Sequence, residues 1–417
     1  MQEKKLEIRN LGPIKECNID LGSFNVITGK QSSGKSTVAK SLYFFLKLKD
    51  ILGRLAFECH HPGVLGDGRG DSLNRKFKQS LTDIFGMIFD VSSISSGDGS
   101  FMRMNYAESI YVQVDVNESV VIKYSNKLRN FIHFLESLEG DSLEKNFNDS
   151  LQKKIDGFFQ IDYSPIYIPA GRGLMTVLGG QFDLFYATLD DDNRNLIDLC
   201  TRDYFETVIR LRPLFGEKVS KAWKKQRWDE IIKKTNPYIL NVLNGEYYYS
   251  LREEYIQLVD GPKIRVNKTS SGQQEALWIV NILLYYTANQ SKKFYIIEEP
   301  ESNLFPESQQ NITKFLTYIA NSGNPMLINT HSPYVLGELN NLVYAGSITE
   351  RRKRTYEVIE KDFQLKFESI RAFFFENGIA NGCLDEEIKQ IDNTKLDEIS
   401  GVINEEYDKL LRIERGK

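Results

Sequence analysis

The residues from Gly29 to Ser36, G-K-Q-S-S-G-K-S, have the types and spacing that suit phosphate chemistry. The glycines Gly29 and Gly34 let a loop curl until backbone N–H groups converge on phosphate oxygens. Lys30, Gln31, Ser32 and Ser33 supply the intervening N–H groups, and Thr37 continues the set into a helix. Lys35 can reach β- and γ-phosphates, and the Ser36 hydroxyl suits Mg²⁺. The positive end of the helix adds to the attraction.

Three distant segments suit the same chemistry. In FYIIEEPES, residues 294–302, an apolar run ends in two acids. Glu298 is placed to hold Mg²⁺ through water, and Glu299 to orient or deprotonate an attacking water. In TSSGQ, residues 269–273, Ser270, Gly272 and Gln273 stand at a helix start, where free N–H groups attract an anion. The chain's own P-loop already serves a nucleotide, so this second anion site is expected to face a γ-phosphate on another subunit. In LINTHSP, His331 follows an apolar run and suits a γ-phosphate sensor.

These residues need elements to position them. Val26-Ile27-Thr28 reads as a buried strand and 36–57 as a helix with a broad apolar face. Residues 5–10 and 17–21 alternate like two edge strands, and 108–124 reads as a hairpin around residues 117–119. Helical periods are expected near 73–88, 126–139, 143–159, across 181–243, from 272, at 307–321 and at 333–339. Strands are expected at 165–170, 246–257, 263–266, 294–297 and 325–329. Apolar strands alternating with helices predict an α/β fold with a mixed central sheet, a small antiparallel N-terminal sheet and a helical insertion lobe.

Composition narrows the function classes. At 417 residues, 41% hydrophobic and 26% charged, the chain has the make-up of a globular protein. A net charge of -4 gives no global attraction to nucleic acid or anionic membrane. EKVSKAWKKQRWDEIIKK, residues 217–234, is a local basic stretch, either a solvated helix face or a nucleic-acid or partner surface. The four cysteines form no C-x-x-C pair, which suits reduced thiols and a cytoplasmic location. Cys59-His60-His61 lacks a second half for a metal site and reads as ordinary loop. No uncharged run has the length of a membrane span.

Together the four segments resemble the ABC-type ATPases, and within them the soluble SMC-like and RecF-like members. LEIRNLGPIKECNIDLGSFNVITGKQSSGKST resembles their N-terminal lobe. TSSGQQE resembles the ABC signature, with Ser271 in place of a glycine. IIEEPESNLFPESQ and IYIPAGR resemble the overcoming-lysogenization-defect (OLD) ATPases and bacterial phage-defence ATPases, with Asn303 and Phe305 replacing two histidines. The resemblance implies an ATPase head over 1–345. Its P-loop lobe would span 1–48 and 245–345, with insertions at 49–164 and 181–243 and a strand and helical extension at 346–417. It implies ATP and Mg²⁺ as ligands. It also implies a head-to-tail dimer in which Lys35, Ser36 and Glu299 of one subunit meet Ser270 of the other. No glutamine stands at the Q-loop position, and Arg172 is the candidate phosphate or cross-subunit contact there. OLD proteins carry a C-terminal Toprim nuclease. Residues 346–417 show no glutamate followed by an Asp-x-Asp pair, so a separate nuclease or toxin is the expected effector. A RecF/SMC-like ATPase that clamps DNA is the alternative.

Overall fold

The computed structural model describes residues 4–60, 72–94, 99–138, 145–190, 193–194, 196–216, 226–250, 253–348 and 352–392. The first half of the basic stretch, at 217–225, and the end of the expected C-terminal extension, at 393–417, lie outside the described residues.

Alternation of side chains across three apolar runs builds the centre of the fold. Strands β3 (Phe24–Gly29), β11 (Lys293–Glu298) and β12 (Met326–Asn329) are almost wholly buried. Ile27, Phe294, Ile296 and Leu327 enter one core, whereas Phe24, Val26, Tyr295, Ile297, Met326 and Ile328 enter the other. The two-residue period thus divides each strand between the two faces of the sheet. The helix Lys35–His60 packs into the first core. The helices Ser271–Ala288, Pro306–Asn321 and Pro333–Ser347 pack into the second.

The sheet is mixed, as expected. β1 (Lys4–Leu11), β2 (Ile14–Leu21), β4 (Phe101–Ala107), β5 (Ile110–Val116), β6 (Val120–Tyr124), β7 (Ser164–Ile168), β13 (Ile370–Glu376) and β14 (Ile379–Gly382) complete it. The order among the described residues is β6-β5-β4-β1-β2-β14-β13-β3-β12-β11-β7. The antiparallel N-terminal strands are present, but β1 and β2 are internal rather than edge strands. β13 pairs parallel with β3, and β14 meets β2 through Ile379 opposite Glu16. A C-terminal hairpin therefore joins the antiparallel lobe to the parallel one. A separate small sheet is formed by β8 (Gly245–Ser250), β9 (Glu253–Leu258) and β10 (Lys263–Arg265).

The hairpin at 110–124 and the helices Leu73–Ile88, Asn126–Glu136 and Lys145–Phe159 lie where the patterns predict them. The last helix of the ATPase core, Pro333–Ser347, runs eight residues beyond the expected 339. Its buried Leu342, Val343 and Ala345 continue the apolar face. Among the described residues no helix is long and apolar enough to cross a membrane.

Candidate functional site

The turn after β3 is dictated by its two glycines. Gly29 has φ 141°, and a Cβ there would lie 2.2 Å from the Phe375 carbonyl oxygen of β13. Gly34 has φ 105°, and its Cβ would lie 2.5 Å from Ile14 Cγ1. No other residue fits either position without displacement. Between them Lys30, Gln31 and Ser32 are exposed, and Ser32 takes a left-handed φ of 58°. Ser36 is exposed in the first helical turn and Thr37 is half-buried. Lys35 folds back into the curl, its Nζ donating to the carbonyls of Gly29 at 3.0 Å and Lys30 at 2.6 Å. Burial pushes the Lys35 pKa down, and Glu299 and then Glu298 oppose that shift. The exposed Lys30 pairs with Glu376 at 3.3 Å, so β13 supports the loop from the side.

The paired acids stand where β11 ends. Glu298 is buried, lies beside Asn329 in register, and accepts from the Ala170 N–H at 3.2 Å. Among the described residues its other oxygen has no donor at full hydrogen-bond geometry, and the Tyr167 hydroxyl lies beside it. Glu299 adopts a left-handed φ of 44° and donates its N–H to the Asn329 carbonyl at 2.8 Å. The Ser302 hydroxyl holds its carboxylate at 3.0 Å.

Arg172 is not available to a phosphate or a partner. It is 2% exposed, and its guanidinium donates to the carbonyls of Glu275 at 2.8 Å, Pro169 at 2.9 Å, Glu298 at 2.7 Å and Glu299 at 2.8 Å. Glu275 completes the site with an ion pair at 3.5 Å. A planar fork of five donors suits such a convergence of carbonyls. Arg172 therefore clamps the turn that carries both acids to the helix Ser271–Ala288.

His331 follows β12, and the preceding Thr330 N–H donates to Ile27 of the P-loop strand at 2.9 Å. Its loop is fixed by Glu301, a residue the sequence reading passed over. Glu301 accepts from the Thr330 hydroxyl at 2.7 Å and the His331 N–H at 2.8 Å. Burial raises the Glu301 pKa and these two bonds oppose the rise. Burial also lowers the His331 pKa, followed by the positive charge of Lys35, with Glu299 opposing. Lys35 thus lies within electrostatic reach of Glu298, Glu299 and His331, and Glu299 within reach of His331, although they come from three separate segments.

Ser270, Gly272 and Gln273 are placed differently. Ser270 is exposed and caps the helix, accepting from the Gln273 N–H at 3.3 Å, while the Gln273 side chain accepts from the Ser270 N–H at 3.0 Å. This reciprocal pair is a capping box. Gln273 also donates to Leu243 O at 2.6 Å. Gly272 has a packing reason that the sequence reading missed, since a Cβ there would lie 2.5 Å from the Asn303 carbonyl oxygen. The capped helix start is thereby pressed against the turn that follows Glu299.

The fit to a magnesium nucleotide rests on unsatisfied buried atoms. Among the described residues, Thr28 Oγ1 and Ser33 Oγ are buried without a hydrogen-bond partner, and Glu298 Oε1 has none at full hydrogen-bond geometry, although the Tyr167 hydroxyl lies beside that carboxylate. Hydroxyls at the loop and a carboxylate oxygen at the acid pair are the donor set that a hydrated Mg²⁺ and phosphate oxygens require.

A sequence profile of the AAA ATPase domain, AAA_15, matches residues 1–167 and 189–336. The chain belongs to this family. The mixed sheet and the glycine-bounded loop between β3 and its helix are consistent with that family. Among solved structures, this AAA ATPase is similar to the SMC head domain from Thermotoga maritima. The identity is 12%, with 92% of this chain and 98% of that chain covered and a TM-score of 0.39. It is also similar to an Smc head domain with an extended coiled coil, bound to the C-terminal domain of ScpA derived from Pyrococcus furiosus. There the identity is 10%, the coverage 96% and 99%, and the TM-score 0.41. No curated protein sequence matches this AAA ATPase.

Proposed function

We propose that this AAA ATPase binds and hydrolyses ATP, dimerises head-to-tail on it, and thereby controls a separate effector, a nuclease or toxin, in bacterial anti-phage defence. The observation that carries the ATPase reading is that the curled loop holding Lys35 lies at the end of β3, next to the strand ends that carry Glu298, Glu299 and His331. The defence reading is supported by the resemblance of IIEEPESNLFPESQ and IYIPAGR to OLD-like ATPases.

In this reading the N–H groups of Lys30 to Ser36 and the Lys35 ammonium bind the β- and γ-phosphates. Ser36 and Glu298 hold Mg²⁺, which when bound neutralises phosphate charge. Glu299 orients the attacking water and takes its proton, with the Ser302 hydroxyl fixing the carboxylate that does so. His331, neutral because of its burial and the nearby Lys35, offers an N–H to the γ-phosphate. The exposed Ser270 cap faces the nucleotide of a second subunit. Binding energy then shifts the population towards the closed dimer, and hydrolysis releases it.

The test is a pull-down of tagged Glu299→Gln from its native host, with and without nuclease treatment of the lysate. A stoichiometric protein partner that survives nuclease supports the effector reading. Recovery of DNA, with protein partners lost on nuclease treatment, overturns it in favour of a DNA clamp.

A further inference from the structure

At the β7 margin of the sheet, away from the P-loop, lies an open cleft of about 280 Å³. The helix Lys35–His60, β7, the helix Leu199–Leu211 and the start of β11 enclose it. Its charged lining consists of Lys47, Asp50, Asp203, Glu206, Arg210 and Lys293. Formally these charges cancel, but their pairing is uneven.

Each acid already has a donor. Asp203 accepts from the Tyr43 hydroxyl and pairs with Lys47. Glu206 accepts from the Tyr186 hydroxyl at 3.2 Å. Asp50 accepts from the Ser164 hydroxyl at 3.2 Å and lies 3.6 Å from Lys49. Burial also raises the Asp50 pKa, opposed first by Lys49 and then by the Ser164 hydroxyl and Lys293. Arg210 and Lys293, by contrast, form no ion pair with a carboxylate among the described residues. Both are gathered on one aromatic ring instead. Arg210 donates to the Tyr286 hydroxyl at 2.7 Å, and the Lys293 ammonium lies 4.9 Å from the centre of the same ring. Burial pushes the Lys293 pKa down, Asp50 opposes that and the nearby Arg210 adds to it, so an anion held between the two cations would relieve their mutual repulsion.

The cleft is also connected to the catalytic acids. Tyr43 and Tyr167 meet edge to face with ring centres 5.8 Å apart. Tyr167 lines the cleft and also lies beside Glu298, whose charge, after burial, raises the phenol pKa. An occupant that moves Tyr43 or Tyr167 would therefore act on the metal-holding carboxylate.

We propose that this cleft is a regulatory site for a small oxyanion, a phosphate or carboxylate group bound between Arg210 and Lys293. Its volume, at the lower end of ligand pockets, suits a small metabolite rather than a second nucleotide.

The test uses the full chain with its P-loop filled by a non-hydrolysable ATP analogue, titrated calorimetrically with inorganic phosphate and, separately, with succinate. One molecule of probe per chain is expected to bind. The affinity is expected to fall at least about tenfold in Arg210→Gln and in Lys293→Gln, since each removes a charge-assisted hydrogen bond. Lys293→Arg keeps the charge and is expected to retain binding, which separates loss of the site from loss of the fold. Binding of phosphate alone assigns a phosphorylated ligand, and binding of succinate alone a carboxylate. No saturable binding of either probe overturns the proposal, as does binding that both glutamine variants leave unchanged.

Discussion

Replacing Arg172 with alanine separates a clamp from a ligand contact. The side chain is buried and donates four hydrogen bonds, all to main-chain carbonyls, two of them on the paired acids Glu298 and Glu299. It also balances the buried Glu275. A hydrogen bond to a charged group contributes about 1.5–3 kcal/mol, and breaking a buried ion pair costs about 3–5 kcal/mol. These effects overlap, because they share one guanidinium, and water can enter the space left behind. The loss is therefore about 4 kcal/mol, a large fraction of the roughly 5–15 kcal/mol that holds a typical domain. Urea unfolding should show a markedly lower midpoint for Arg172→Ala. Arg172→Lys should recover only part of it, since an ammonium cannot span carbonyls from three segments. Hydrolysis should fall along with stability, because the turn carrying Glu299 at φ 44° loses its restraint. If Arg172 were instead a phosphate or cross-subunit contact, the midpoint would be unchanged and only nucleotide affinity would drop. That result would refute the clamp.

Gly29→Ala should destabilise the chain by about 2 kcal/mol or more. The residue sits at φ 141°, and its Cβ would strike the Phe375 carbonyl at 2.2 Å, so β13 must shift. Loss of protection of the β13 amides in hydrogen exchange would report it. His331 has a lowered pKa in the folded state, so between that value and the unfolded value near 6.5 the unfolded chain binds more protons. The stability it contributes is present above about pH 6.5 and is lost as pH falls towards the folded pKa. His331→Gln should flatten that part of the pH–stability curve. An unchanged slope between about pH 6.5 and pH 5 in His331→Gln would contradict it.

The parallel half of the fold was legible because Val26-Ile27, Phe294 to Ile297 and Leu327-Ile328 are apolar runs long enough for buried strands and are punctuated by Gly29, Glu298 and Asn329. β13 was not. Its run, IRAFFFE, follows a charged stretch that looks like an appendage. Its Asn377-Gly378 turn, with φ 53° and 81°, was the available hairpin signal. Nothing local could show that the strand enters beside β3, because that pairing spans more than 300 residues. β4 was missed because FMRMNYA borders a glycine- and serine-rich stretch, and its alternation is carried by Met102, Met104 and Tyr106 rather than by β-branched residues.

The site divides in the same way. The placement of Lys35, Glu298, Glu299 and His331 was readable because each directly follows an apolar strand or the glycine turn after one. Arg172, an arginine in a glycine turn, reads as a candidate phosphate or cross-subunit contact instead of a clamp, and Glu301, two residues past the acid pair, looks like a surface residue. Only the fold shows four carbonyls converging on the first and the Thr330–His331 turn closing on the second. Ser270 and Gln273 carry a double meaning. Within one chain they form an ordinary capping box, and the exposure of Ser270 leaves it available to a second chain.

The central claim is that ATP joins two copies of this chain through the Ser270 helix start. Sedimentation velocity of Glu299→Gln with and without MgATP tests it most directly. A monomer that becomes a dimer with MgATP, and stays a monomer when Ser270→Arg or Lys35→Ala is added, is the predicted result. Glu299→Gln that binds ATP yet remains monomeric at all concentrations, or that hydrolyses ATP faster than the wild type, would contradict the account.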